Sequence, residues 1–578
     1  MSAAMRDAMN LWPIGNCEIA ALVDPNARIA WGCLPRFDGD PVFCSLLEPR
    51  QDHGYWDIVL ENCAHTEQHY IRNTPVLVTR MSCNAGNVIE VVDFMPRFPR
   101  HGRMFRPVAI ARIVRVISGS PRISVRLRPA YAWGEGSPRL TSGSNHIRYI
   151  LGEQVQRLTS NAPLGWIRDE RMFRAERDLY FYFGPDEGFD AQLEARMEAM
   201  LDETVSTWQH WVRGLNLPLE WQEAVIRAAI TLKLCQYEQT GAIVAALTTS
   251  LPEHADSGRN WDYRFCWIRD AYFTVQALNR LGALDVLESY LHYLRNIVDA
   301  ARGGHIQPLY GIGGEATLTE HVMPALQGFA GMGPVRSGNQ AYEQVQHDAY
   351  GQIVLSSVQA FFDQRLLRQA TVQDFEALEV VGHRAFAMFN EPDAGLWELR
   401  TRAHVHTYSA AMCWAACDRL ANAAGAIGRP KAAMFWGERA EHIRTHIDAH
   451  AWSHAGNHYS AVLGERTLDA SLLQLLDLKF IRADDPRFIS TLDAIEGGLR
   501  RGSHMLRYAD EDDFGPPQSA FNVCTFWLIE ALHATGRYGD ARSLFEEMLS
   551  RRTPAGLLSE DIDPSTGALW GNYPQTYS

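Results

Sequence analysis

The feature that most constrains this chain is a change of hydrophobic period near residue 189. Before it, apolar residues alternate with polar ones. Ile123, Val125 and Leu127 alternate with Ser124, Arg126 and Arg128, the period of a half-buried strand. Runs at 18–23, 28–33, 76–81, 88–94 and 179–183 are rich in β-branched and aromatic residues, and Pro, Gly, Asn and Asp punctuate them. Many short strands at close spacing predict a β-sandwich over residues 1–185. After the change, Leu193, Met197, Met200, Leu201, Val205, Trp208 and Val212 recur at helical spacing. This predicts an amphipathic connector over 186–218, broken by Gly214 and Pro218. From 219 to 578 apolar helical faces follow one another without clear strand runs, and no sequence repeat of fixed period is visible. Paired inner and outer helices closed into a toroid fit that pattern.

The chain has 578 residues, too many for one ordinary core, so two or more domains are expected. A net charge of −14 argues against nucleic acid or an anionic membrane as partner. No apolar run approaches the ~20 residues that span a bilayer, and the N-terminal stretch lacks the apolar core of a signal peptide. The ten cysteines are scattered, without a CxxC pair. They read as free buried thiols in a reducing compartment, which predicts a cytoplasmic protein. A homo-oligomer is compatible with this composition.

The densest chemistry lies at 257–278, SGRNWDYRFCWIRDAYFTVQAL. Turn residues open it, and Ile268, Tyr272, Val275 and Leu278 then share a helical face. An aromatic loop therefore feeds a helix N-terminus, with Arg269 and Asp270 at the junction. Flat rings beside a fixed guanidinium and carboxylate suit a sugar, whose hydroxyls the charged groups bind. A buried aromatic hinge with a structural ion pair fits the same composition.

Two acidic segments lie far downstream. In 392–400, a Gly turn precedes Trp397 and Glu398. A carboxylate beside an indole is expected to be partly desolvated, which raises its pKa and keeps it protonated as a general acid. In 556–575, Glu560, Asp561 and Asp563 sit in a loop rich in Gly, Ser and Pro, where a solvated acidic turn is the simpler reading. Glycoside hydrolysis needs two such carboxylates, one to protonate the leaving oxygen and one to attack or to activate water. No cofactor or metal motif is present: the Gly-rich 311–315 lacks the P-loop Lys, and His404 and His406 lie two apart, the wrong spacing for a helical metal pair.

WDYRFCWIRDA resembles the signature of the glucoamylase-type glycoside hydrolases, family 15, which include glucoamylases, glucodextranases and bacterial trehalases. The resemblance covers nearly the whole chain. It implies an N-terminal antiparallel β-sandwich followed by an (α/α)6 barrel, with the pocket in the loops at one barrel end. It implies that Glu398, in the LWE segment, is the general acid, and that Glu560, in the LLSE segment, is the general base of an inverting reaction. Asp561 and Asp563 compete for that second role. It further implies that Arg269 and Asp270 grip the glucosyl unit, with Tyr263 and Trp267 beside them, Arg507 and Tyr508 lining the same pocket, and Arg336 and Asn339 facing sugar. Arg507 could instead neutralise the acidic run 510–513. Family members continue from GNYPQ into a last helix, and many carry an acidic residue near 516–518, where this chain has Pro-Pro-Gln.

The expectation is an inverting exo-acting α-glucoside hydrolase with no cofactor. Trehalose is favoured as substrate, because a protein without an evident starch-binding domain suits a small soluble sugar. Glucoamylase or an isomaltose- or maltooligosaccharide-type glucosidase is the alternative. A sugar phosphorylase or a non-catalytic sugar-binding protein stands outside that class. The Pro-Pro-Gln segment is expected to form a rigid acceptor-side wall, since Pro fixes φ.

Overall fold

The computed structural model describes residues 9–578 except 49, 51, 190 and 191. Two antiparallel sheets form the N-terminal part. The first runs in the order Trp12–Gly15, Ala20–Val23, Ile29–Leu34, Tyr55–Leu60, Arg122–Arg128, Phe173–Arg174, with Asp40–Phe43 paired to Ile29–Leu34. The second places Leu179–Pro185 and Ile110–Ser118 at its centre and ends on Cys63–Tyr70. Their facing side chains, among them Trp31, Trp56, Val91, Val125 and Phe183, form one apolar core. Alternation in the sequence is what lets each strand turn one set of side chains into it.

Helix α1, Leu193–Arg213, lies across the outer face of the second sheet, burying Met197, Met200 and Leu201 against Phe94, Phe98 and Ile113. The helical part then follows as α2 (Gln222–Leu234), α3 (Ile268–Arg280), α4 (Leu284–Ala301), α5 (Asp348–Val358), α6 (Val372–Met388), α7 (Thr407–Ala426), α8 (Pro430–Ala451), α9 (Pro486–Leu499), α10 (Asn522–Ala534) and α11 (Tyr538–Ser550). Burial sorts them into two rings. Helices α5 and α7 are buried almost all round. Helices α6, α8, α9 and α11 bury one stripe each and present a polar face outward. Helix α3 packs on α5 and α5 on α7, while α4 packs on α3 and α8 on α7. Three of these outer helices start on strong signals: a Thr371–Asp374 capping box for α6, and Pro at the first turn of α8 and α9. Strands between 340 and 550 are two-residue pairings only, among the described residues. An open groove bordered by Trp221, Leu476, Trp527 and Phe545 lies beside α10 and α11.

Long connections precede α3, α5, α7 and α10, at the N-terminal ends of these helices, and another, 452–485, precedes α9. The sandwich buttresses the one before α3 and the segment around Tyr573. Trp31 Nε1 donates to the Leu247 carbonyl at 2.8 Å, and Tyr573 Oη donates to that of Leu11 at 2.8 Å. The fully buried Arg264 donates to the Gly39 carbonyl at 2.7 Å. All ten cysteines are free. Nine are buried as expected, but Cys63 is exposed on the edge strand of the second sheet. No helix among the described residues is long and apolar enough to cross a membrane.

Candidate active site

The loop before α3 is set by an internal ion pair. Asp262 and Arg264 meet through two hydrogen bonds of 2.7 and 2.8 Å, both side chains fully buried, and Trp133 of the sandwich covers the guanidinium at 4.8 Å. With those two side chains turned into the protein, the flanking Tyr263 and Trp267 turn the other way, into a cavity. Arg269 and Asp270 form the first turn of α3 and lie at the cavity's buried end, 6% and 4% exposed. One arm of Arg269 donates to Gln346 Oε1 at 2.7 Å and lies 3.5 Å from Asp348; the other donates to Glu398 Oε1 at 3.0 Å. Burial pushes the Asp270 carboxyl up to about 7 against the pull of Arg269.

Glu398 stands on a tight turn. Gly395 takes φ of +67°, and a Cβ there would meet the His406 ring at 2.7 Å, so only glycine fits. Glu398 itself has φ of +61°, an uncommon backbone for a non-glycine residue and a form of strain that clusters at functional sites. Its Oε1 accepts hydrogen bonds from Trp267 Nε1 at 2.6 Å, Arg269 at 3.0 Å and Gln346 at 3.4 Å. The indole that meets Glu398 is thus not the adjacent Trp397 that the sequence pointed to. Trp397 turns its indole N–H to Asp469 at 3.1 Å and packs among Tyr508, Phe521 and Trp527. The indole that meets the carboxylate is Trp267, as a donor.

Glu560 precedes the central strand of a three-stranded sheet, in which Asp561–Ile562 pairs with Ala520–Phe521 and Leu569–Trp570. Its Oε1 accepts from Tyr263 Oη at 2.7 Å and its Oε2 from the Asn572 N–H at 3.3 Å. Of the three acidic residues in this loop only Glu560 lines the cavity. Asp563 turns back to Ser565 and Thr566. Asp561 is fully buried behind Glu560, and oxygens of Glu253, Glu560 and Asp561 lie within 4.8 Å of one another. Burial, then the neighbouring carboxylates, hold Glu560 well above the usual carboxylate range. Among the described residues this is the one acidic group with spacing for a metal ion. In this group Glu253 and Glu560 already have partners from the chain: Trp261 Nε1 and Arg507 on Glu253, Tyr263 on Glu560.

Arg507 lines the cavity, paired to Glu253 and 3.9 Å from Asp561, so the acidic run 510–513 is not its partner. Asn339 reaches the cavity wall but spends its amide on the Asp262 carbonyl and the Ala341 N–H. Arg336 lies outside the wall, over Trp261 at 4.7 Å and paired with Glu320 at 3.2 Å. Tyr508 is also behind the wall, its hydroxyl on Asp512. Pro516, Pro517 and Gln518 border a separate small cleft, and the cavity wall in this stretch is made by Asp512, Asp513 and Phe514 instead. Gln346, Asp348, Glu253, Arg259 and Tyr577 complete the site and were not expected. Asp348 opening a helical run was the one local signal among them.

Two family models match the chain: "Glycosyl hydrolases family 15" over residues 221–578 and "Trehalase-like, N-terminal" over 6–164. The trehalase of Thermoplasma volcanium is 30% identical over 575 residues, covering 98% of this chain and 90% of that protein. The trehalase of Mycobacterium tuberculosis is 29% identical, covering 98% of this chain and 87% of its own length. In fold, the chain is similar to a bacterial glucoamylase solved with acarbose, an (α/α)6 barrel protein, with a TM-score of 0.69 at 13% identity over 100% of this chain and 92% of that one.

Proposed function

Because this chain belongs to glycosyl hydrolase family 15, we propose that it cleaves α,α-trehalose into two glucose molecules by an inverting, exo-acting mechanism. The observation that carries the mechanism is the convergence of Glu398 and Glu560, from loops far apart in sequence, on one cavity that is closed behind Arg269 and Asp270. Full-length similarity to trehalases supports the choice of substrate. Residues 219–578 are read as the catalytic unit, 1–185 as the sandwich that supports its loops, and 186–218 as the link.

In this reading one glucosyl ring enters to the closed end. Arg269, Asp270 and Arg507 bind its hydroxyls, and Tyr263 and Trp267 bound it. Glu398 keeps Oε1 on Trp267 and Arg269 and donates a proton to the glycosidic oxygen from its other oxygen. Glu560, oriented by Tyr263 and Asn572, takes a proton from water attacking the anomeric carbon from the opposite face. A carboxyl separation of roughly 6.5–9.5 Å would leave room for that water. A phosphorylase would have no use for Glu560 as a base.

A panel of trehalose, maltose, isomaltose and dextrin, read as free glucose from about pH 4 to 8, tests the substrate. Highest kcat/KM on trehalose is expected; faster turnover of dextrin across that range would move the assignment to glucoamylase. NMR of the first-formed glucose should show one β-anomer for each trehalose cleaved.

A further inference from the structure

Residues 510–515 cross the mouth of the cavity, and they are tied down on both rims. On one rim Arg259, from the loop that carries Tyr263 and Trp267, donates to both oxygens of Asp512 at 2.6 Å and to the Gly515 carbonyl at 2.8 Å. The pair is nearly desolvated, at 9% and 6% side-chain exposure, and a bidentate Arg–carboxylate contact fixes geometry as well as charge. Tyr508 Oη donates to the same carboxylate. On the other rim Asp513 accepts from the Arg400 N–H at 2.6 Å and from the Thr401 hydroxyl, while Arg402 donates to the Glu511 carbonyl at 2.7 Å. Arg400 and Thr401 follow Glu398 by two and three residues. The segment thus straps the Glu398 turn to the aromatic loop.

The rings at this mouth do not offer an extended sugar-stacking track. Trp261 carries the guanidiniums of Arg400 at 4.2 Å and Arg336 at 4.7 Å, and the edge of Phe514 at 5.3 Å. Burial grades the site from end to end: Arg269, Asp270 and Glu560 are buried, while Arg400, Thr401 and Phe514 are exposed. The strap therefore lies on the acceptor side of Glu398, where a leaving sugar would sit.

We propose that the 510–515 strap, held by Arg259–Asp512 and by Asp513 on Arg400 and Thr401, is the device that limits this enzyme to a single sugar ring beyond the scissile bond. A longer glucan must lift the strap, which breaks a desolvated ion pair and several charge-assisted hydrogen bonds, so chain length is penalised at binding. The inference rests on the glycosidase reading of the cavity but not on trehalose being the preferred substrate.

The test measures competitive inhibition by maltose and by maltotetraose, against whichever substrate the wild-type enzyme turns over best. Wild type should bind maltotetraose at least tenfold more weakly than maltose. Asp513→Ala frees the strap beside Glu398 and should bring the two inhibition constants within threefold of each other. Thr401→Val removes one hydrogen bond and should move the ratio the same way by less, which guards against an unstable Asp513 variant. A wild type that binds both sugars equally, or a ratio unmoved in the variants, overturns the proposal. Failure of the trehalase assignment would show separately, in the substrate panel.

Discussion

Arg269 binds Glu398 Oε1 at 3.0 Å with one arm of its guanidinium and Gln346 Oε1 at 2.7 Å with the other. One side chain thus fixes the proposed acid and forms the end of the proposed glucosyl pocket. Neither task needs positive charge alone; both need two donors at a fixed angle in one plane.

Arg269→Lys should therefore lose kcat/KM by about a hundredfold or more, because an ammonium cannot hold both partners in the guanidinium's geometry. Gln346→Ala, which frees one arm only, should lose roughly tenfold. Steady-state kinetics on trehalose checks both. Near-wild-type activity in Arg269→Lys would show that charge suffices and would remove Arg269 from the positioning role.

The carboxylates around Glu560 set the second expectation. Burial, Asp561 and Glu253 all favour its protonated form. A base must be ionised, so activity falls as pH drops through its protonation. Glu253→Gln removes one negative neighbour and lowers the pH at which Glu560 takes its proton. The low-pH limb of kcat/KM should move to lower pH. Movement to higher pH, or none, would mean that another group governs that limb.

The residues legible in the sequence were those whose partners are near in sequence or whose motif is compact: the strand alternation, the helical faces, the WDYRFCWIRDA segment, and Glu398 and Glu560. What was illegible depends on contacts across the fold. Gln346 meets Arg269 from 77 residues away, and Trp267 meets Glu398 from 131 away. The sequence neighbour of Glu398 is Trp397, but the tight turn sends the two side chains apart. A chemical environment inferred from adjacency therefore named the wrong indole: Trp267, not Trp397, donates to the carboxylate. Arg507 shows the same limit: three residues from the acidic run 510–513, it pairs with Glu253 instead. The Pro-Pro-Gln wall was misplaced because rigidity is readable from proline, whereas direction is not.

Asp393 yields a stability prediction outside the reacting groups. It lies just before the Glu398 turn, 1% exposed, and accepts from the His347 N–H at 2.8 Å and the Ser409 hydroxyl at 2.7 Å. Burial raises its pKa from 3.8 to about 7. The folded protein keeps this proton where the unfolded chain has lost it. Its contribution is full below the unfolded value and is lost as pH rises toward about 7. Asp393→Asn removes that loss. The variant's advantage over wild type should grow with pH from about 4 to about 7, by at most about 1.4 kcal/mol per unit, and then level off. Thermal melts at pH 5, 6, 7 and 8 read it as a widening and then constant gap in Tm. A gap independent of pH would show that Asp393 is ionised throughout.

The roles of the two carboxylates separate by leaving group. The second glucose of trehalose leaves as a sugar alkoxide unless the glycosidic oxygen is protonated, whereas fluoride from α-glucosyl fluoride needs much less help. Glu398→Gln keeps a side chain that can hold Trp267 and Arg269 near it but has no proton to give. It should lose on the order of 10³-fold or more in kcat on trehalose and far less on the fluoride. Glu560→Gln still accepts from Tyr263 but cannot take a proton from water. It should be crippled on both substrates, since water must be activated whichever group departs. Equal losses for both variants on both substrates would leave neither residue with a distinct role. Full activity in Glu560→Gln would pass the base to Asp561, which is buried directly behind it.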